Sequence, residues 1–352
     1  MSKQRVFVIF RRACALACLA FVAAVGAYAA PQGPAYKVIR RMPVGGEGGW
    51  DYLRVDPDAH RIYAARGTHL MVVNDVSGKV IADIPASNTR NMHGIALAKD
   101  LGKGFTSNGD ANTVTVIDLK TLKALKVIPI SGKDPDSILY DPMTKRIFTF
   151  NGRSANSTVI DATTEKEIGT VALAGKPEEP ALDGQGNVFV NIEDKSMLQK
   201  FDATTLVVKG TWPLAPCEEP SALAFDSAHH RLFSVCDKVM VVVNSDTGKV
   251  VASPAIAGDP DGDGFDPATG LVFASCREGV VTVLHQDSPD KYSFVGNVKT
   301  MYGARTMTIN LKTHHVYTES AKFTPAPPKT AANPRPRPQA VPGSYVILEL
   351  GQ

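Results

Sequence analysis

The chain has 352 residues, 44% hydrophobic and 21% charged, with 38 Lys and Arg against 35 Asp and Glu. That length can bury a large core in one domain or two. The near-balance of charge excludes the basic excess or stripe that a sequence-independent grip on nucleic acid requires.

In chain order, the first feature is a leader. Lys3, Arg5, Arg11 and Arg12 precede the apolar run "ACALACLAFVAAVGA", and Ala27-Tyr28-Ala29 supplies a small-x-small pattern. This is the layout of a secretory signal peptide. Residues 1–29 are expected to be removed near Ala29, and residues 30–352 to be periplasmic or secreted. A lipid anchor on Cys18 is disfavoured, because Ala15-Leu16-Ala17 lacks leucine where the lipoprotein pattern places it. No later stretch approaches a membrane span. Without the leader, 34 basic residues face 35 acidic ones, a net charge of −1, and nucleic acid is not an expected partner. Cys217, Cys236 and Cys276 remain, enough for one disulfide and one free thiol.

From Tyr36 onward, short β-branched runs alternate with turn chemistry and almost nothing shows a helical period. "DYLRVDPDAHRIYAARG" (51–67), "DSILYDPMTKRIFTFNG" (136–152), "SALAFDSAHHRLFSVCD" (221–237) and "RTMTINLKTHHVYTESA" (305–321) share one plan. Each has an apolar strand, an Asp-Pro-type turn, and a second strand with an aromatic residue. Corresponding points are Arg61, Lys103, Arg146, Asn187, Arg231, Leu271 and His315, spaced 42, 43, 41, 44, 40 and 44 apart. A third strand and tight turn recur in "VVNDVSGKV", "TVIDLKTLK", "TVIDATTEK", "KFDATTLVV" and "VVNSDTGKV", where the Asp or Asn side chain can bond amides ahead of it. A fourth strand follows, as in "LKVIPI" and "GTVALA". Four strands per unit and a period of about 40–45 residues predict an all-β, seven-bladed propeller of four-stranded blades.

The seventh unit has two strands near 305–320 and a third in "SYVILEL", then stops one strand short. "YKVIRRMPV" at 36–44 matches the missing fourth strand, so pairing of the N-terminal strand into the last blade is expected to close the ring. "GDPDGDGFDPATG" at 258–270 begins like a calcium loop, but Gly270 stands where a bidentate glutamate is needed. It is read as the entry of the sixth blade.

These segments, with "GFTSN", "RIFTFN" and "VYTES" for the aromatic strand and "KDPDSILYDPMTKRIF" for a blade entry, resemble the YncE-like, YVTN-repeat propellers. Their fold is akin to the large subunit of quinoprotein amine dehydrogenases. The Pro-rich "TPAPPKTAANPRPRPQAVPGSYVIL" also resembles the C-terminal part of some bacterial members. The resemblance departs where Asn closes the aromatic strand only at Asn108 and Asn151. It implies an exported protein and no single activity.

If strands run outward from a central channel, one residue per blade rings its mouth: Asp51, His93, Asp136, Glu178 (or Glu179), Ser221 with Glu218 and Glu219 before it, Asp261 and Arg305. Such a mouth can take a cation or polar ligand, with pKa values perturbed by shared burial. The alternative is that these acids cap strand entries. His93, the imidazole of the ring, is a candidate ligand or proton-transfer group, or a solvated loop residue. Trp50 either faces the channel or packs between blades. Arg305 clamps an anion or pairs with a ring carboxylate; the pairing is preferred. His60, His229-His230 and His314-His315 fall in turns on the opposite face, with no carboxylate expected to join them at ligand spacing. Cys217 and Cys236 flank the first two strands of the fifth blade, where a disulfide is geometrically sensible; Cys276 is the expected free thiol. The loop 324–342 is too long and Pro-rich for a hairpin turn. It covers the mouth, serves as a handle for a partner, or is disordered. No haem-attachment, P-loop, GxSxG or HExxH motif occurs.

The expected function is an exported, non-enzymatic monomer that binds an unidentified small ligand or protein partner at the channel face, with no cofactor beyond a possible divalent cation. The alternative is a lactonase-like hydrolase or metal-dependent enzyme at the same mouth.

Overall fold

The computed structural model describes residues 36–85, 89, 91–330 and 336–352. The expected signal peptide, with Cys14 and Cys18, falls outside the described residues. The first strand, β1 (Lys37–Pro43), precedes the first complete blade. That blade is β2 (Leu53–Asp56), β3 (Arg61–Ala65), β4 (His69–Asn74) and β5 (Val80–Pro85). Blade two is β6 (Met92–Ala98), β7 (Lys103–Asn108), β8 (Thr113–Asp118) and β9 (Lys123–Pro129). Blade three is β10 (Pro135–Asp141), β11 (Arg146–Asn151), β12 (Asn156–Asp161) and β13 (Lys166–Ala172). Blade four is β14 (Pro177–Leu182), β15 (Asn187–Ile192), β16 (Met197–Asp202) and β17 (Val208–Pro213). Blade five is β18 (Leu223–Asp226), β19 (Arg231–Cys236), β20 (Val239–Asn244) and the short β21 (Val250–Ala252). Blade six is β22 (Pro260–Asp266), β23 (Leu271–Cys276), β24 (Val280–Ser288) and β25 (Lys291–Lys299). Blade seven takes β26 (Met307–Asn310), β27 (His315–Ser320) and β28 (Val346–Gly351), and its outer strand is β1.

The fold is therefore an all-β propeller of seven antiparallel four-stranded sheets, and the seven residues used to count the repeat each open a second strand. Second and third strands are buried on both faces because neighbouring blades stack on them, so they read as continuous apolar runs such as "RIFTF". Fourth strands alternate, as in β13, because one face meets solvent. Turns are held by side-chain acceptors: Asp118, Asp161 and Asp202 each accept the amides two and three residues ahead, as Asn74 and Asn244 accept amides of theirs.

The basic residue opening the second strand stitches blades together. Lys103 bonds Glu165 of blade three at 2.7 Å, Arg146 donates to the carbonyls of Ala203 and Thr204 in blade four, and Arg231 reaches Asp290 of blade six. Arg61 donates likewise to the Leu119 carbonyl in blade two. A bond from a long cation to the next blade's turn fixes the wedge angle between sheets, and charge assistance makes it stronger than a neutral bond.

Cys217 and Cys236 form a disulfide with Cα atoms 5.5 Å apart, tying the entry of blade five to the end of β19. Cys276, at the equivalent end of β23, is a buried free thiol pushed up to about 12 by burial. The turn histidines depart from expectation. His60, His229, His230, His314 and His315 each place Nδ1 against a carboxylate, at 3.2, 2.7, 2.9, 2.8 and 2.7 Å. Asp226 lies in the same turn as His229, three residues before it, while Asp75, Asp246, Asp266 and Glu349 come from other turns and strands that packing brings alongside. No helix among the described residues is long and apolar enough to cross a membrane.

Closure runs antiparallel from Lys37 opposite Gly351 to Pro43 opposite Val346. Met42 is buried in the seam with Tyr317, Tyr345 and Ile347. Removing residues 30–44 exposes that cluster and bares the edge of β28. Scanning calorimetry should show one transition, lowered by about 10 °C or more, since losing a buried Met alone costs about 2–5 kcal/mol. A frayed end with an unchanged main transition would contradict the closure argument.

Candidate functional site: the acidic channel mouth

The first strands of the blades touch one another in succession, β2 to β6 and onward to β26, which returns to β2; they form the inner ring. Hydrogen bonds join them. Tyr52 N–H donates to the His93 carbonyl at 2.9 Å, Ser137 to that of Glu178 at 2.7 Å, Ser221 to that of Pro260 at 3.0 Å, and Thr306 to that of Asp51 at 2.6 Å.

In four blades the inner strand carries one extra residue at its start. The pairing register slips between Met92 and Gly94, Pro135 and Ile138, Pro177 and Pro180, and Pro260 and Gly262. A bulge of this kind re-aims side chains and ends regular pairing. The displaced residues include His93, Asp136, Glu178 and Asp261. In three of the four, a proline with no N–H to give the ladder comes just before the acid. Asp51, Ser221 and Arg305 occupy the same level just ahead of the shorter strands β2, β18 and β26.

Charges alternate through five blades. Arg305 of blade seven lies between Asp261 of blade six, on which it donates through Nη1, and Asp51 of blade one at 3.0 Å. His93 of blade two places Nδ1 2.6 Å from Asp51 and 3.4 Å from Asp136 of blade three. The order around the mouth is thus carboxylate, guanidinium, carboxylate, imidazole, carboxylate. Arg305 pairs as the preferred sequence reading held.

Alternation then fails. Blade four presents Glu178, with Lys176 at 2.7 Å from it and also bonded to Glu193. Blade five presents Ser221 and the exposed Glu218 and Glu219 but no cation at this level. The mouth encloses about 320 Å³, lined by nine carboxylates (Asp51, Asp136, Glu178, Glu193, Glu218, Glu219, Asp237, Asp259 and Asp261) against Lys176, Arg277 and Arg305. Arg277 is already committed, 2.8 Å from Asp259.

The titrations follow from this crowding. Burial alone would raise Asp51, but the His93 hydrogen bond and the Arg305 charge hold it below the usual carboxylate range. Burial disfavours charge on His93 too, yet the Asp51 hydrogen bond and the Asp136 and Asp51 charges lift it to about 9. Burial raises Asp136 to about 6 against the pull of His93, and burial with the Asp136 charge raises Glu178 to about 8.

Below the mouth lie two further buried acids. Glu179 points away from the Glu178 position, lies 3.5 Å from Arg54 and is raised to about 7 by burial. Asp263 accepts the Ala224 amide at 3.1 Å and is held well above the usual range by burial and by Glu179. Asp259, Asp261 and Asp263 are the three acids of the calcium-like stretch. The bulge at Asp261 breaks their alternation, so Asp259 and Asp261 line the mouth while Asp263 is buried against Ala224. Lys176 and Asp237 of the mouth were unmarked.

Trp50 packs between elements, its ring centroid 5.9 Å from both Phe323 and Tyr345. Arg66, which follows β3, is buried. It donates to the carbonyls of Gly45, Glu47, Gly48 and Gly49 and lies 3.5 Å over the Tyr345 ring. The loop 324–342 joins β27 to β28, and its stem is paired between Thr324 and Gln339 and between Lys322 and Val341. Residues 331–335 lie outside the described part.

The chain matches no family model, and no curated relative matches it. What the structure shows is the seven-bladed fold and its terminal closure.

Two outcomes follow. Arg305→Ala leaves Asp51 and Asp261 without their shared cation and should cost about 2–4 kcal/mol in urea unfolding, with Arg305→Lys recovering part. Glu178, at about 8, holds a proton in the folded state that the unfolded chain releases near 4.5. Its stabilising contribution is complete below the unfolded value and is lost as pH rises through about 8. Glu178→Gln should therefore flatten the fall in urea midpoint between about pH 5 and pH 8.

Proposed function

We propose that the channel mouth binds a small cationic ligand, and that the chain is an exported YncE-like binding propeller. The observation that carries this is the excess of nine carboxylates over three cations in an opening of about 320 Å³. A cleft lined by one sign of charge between low-dielectric walls concentrates the opposite charge. The arc from Glu178 through Glu219 to Asp261 has no ring cation between its acids, and an ammonium group placed there completes the alternation seen on the other side.

The hydrolase reading is less well supported. His93 is the base it would use, but Nδ1 is engaged by Asp51, and Nε2 lies 2.9 Å from the Asn91 amide and against Gly109. Nδ1 faces the lining acids Asp51 and Asp136, which hold it, so neither nitrogen is free to act as a base.

Isothermal titration with short aliphatic diamines and matched dicarboxylates tests the proposal. Diamines should bind, with affinity falling as salt increases and rising between about pH 6 and pH 8 as Asp136 and Glu178 ionise; dicarboxylates should not. Glu219→Gln combined with Asp261→Asn should lower diamine affinity about tenfold, near 1.4 kcal/mol. Equal indifference to both ligand classes would overturn it. Export is checked by the intact mass of the protein recovered outside the cytoplasm, expected to lack residues up to about Ala29.

A further inference from the structure

The acids and the imidazole of blades one to three form a second constellation within the mouth. Among the described residues, Asp51, His93 and Asp136 are the group whose three ligand atoms all lie within 4.8 Å of one another. His93 Nδ1 is 2.6 Å from Asp51 Oδ2 and 3.4 Å from Asp136 Oδ1. Ligand atoms about 2.0–2.1 Å from a tetrahedral zinc ion stand about 3.3 Å apart, a value these two distances bracket.

We infer that Asp51, His93 Nδ1 and Asp136 form a binding site for a divalent transition-metal ion of the zinc class, with a fourth coordination position open to the channel mouth. One imidazole with two carboxylates is a borderline donor set. It suits Zn²⁺ better than Ca²⁺, which takes six to eight oxygens, or Mg²⁺, which keeps its waters. Three protein ligands leave one tetrahedral position vacant, and Asp51 and Asp136 are themselves part of the cavity lining, so that position faces the opening.

The surroundings orient the donors as outer partners of metal ligands do. Arg305 holds the other Asp51 oxygen at 3.0 Å, leaving Oδ2 turned toward His93. In this structure Nδ1 is hydrogen-bonded to Asp51, and the Asn91 side-chain nitrogen stands 2.9 Å from Nε2; a metal ion at Nδ1 displaces the proton shared with Asp51 and leaves the ring proton on Nε2, where a half-turn of the Asn91 amide presents its oxygen to accept it. Each turn histidine on the opposite face also holds Nδ1 against a carboxylate, but against one residue only, whereas His93 Nδ1 stands between two.

That contrast supplies the test. Zn²⁺ is titrated into the purified chain while the imidazole nitrogens are followed by long-range nitrogen–proton correlation NMR. At one equivalent, one histidine should shift at Nδ1 and retain its Nε2 proton. Calorimetry should give one site, weakened about tenfold or more in Asp136→Asn and in Asn91→Ala. A chain carrying both His229→Ala and His230→Ala should bind as the parent does. Shifts confined to Nε2 atoms, loss of the site in the turn variant, or no binding at one equivalent would each overturn the assignment. The spectrum of the unaltered chain decides the matter even if a variant does not fold. The ligand reading turns on the unbalanced acids of blades four to six, although Asp51 and Asp136 line the same mouth, so zinc and diamine are titrated separately. A chain that binds zinc but no diamine sinks only the earlier proposal, and the converse result sinks only this one.

Discussion

Pairing of β1 with β28 is the constraint on which the remaining structure depends. Seven twisted sheets packed face to face define an axis only when the last meets the first. An open arc would leave two bare sheet faces and the unpaired edge of β28. Closure also creates contacts that no single blade contains. Arg305 meets Asp51 across 254 residues of sequence, and Thr306 donates to the Asp51 carbonyl at 2.6 Å. The mouth and its charge pattern are consequences of the seam.

Seven is an odd number, and a ring of alternating charge cannot close on it. Here the alternation runs from Asp261 through Arg305, Asp51 and His93 to Asp136 and then gives way to Glu178, the acids of blade five, and Asp261 again. Each ring cation is shared by carboxylates of the two adjoining blades, which ties electrostatics to blade packing. The imbalance is concentrated on the opposite arc. Burial there makes full ionisation costly, as the raised Glu178 carboxyl shows.

Much of this was legible in the residues. The period that aligned Arg61, Lys103, Arg146, Asn187, Arg231, Leu271 and His315 marks the start of every second strand, because a residue at that register meets the same turn in each blade. The level of the ring was legible for the same reason. The choice between Glu178 and Glu179 was not, since it is made by a backbone bulge between Pro177 and Pro180. Arg54 and Lys176 were not legible because each acts on a neighbouring segment or blade rather than at the repeat position. The carboxylates that meet His60 and His314 were hidden for the same reason, since they come from other turns and strands of the packed ring.

The sequence by itself determined the blade count, the strand order within each blade and the identity of the closing strand. All three follow from local periodicity and turn chemistry, which act over a few residues and repeat seven times. Only the tertiary structure decided which charges neutralise one another, which acids hold protons and where a donor set converges. Those depend on distances of a few ångströms between residues far apart in the chain, and Coulomb and desolvation energies change steeply over that range.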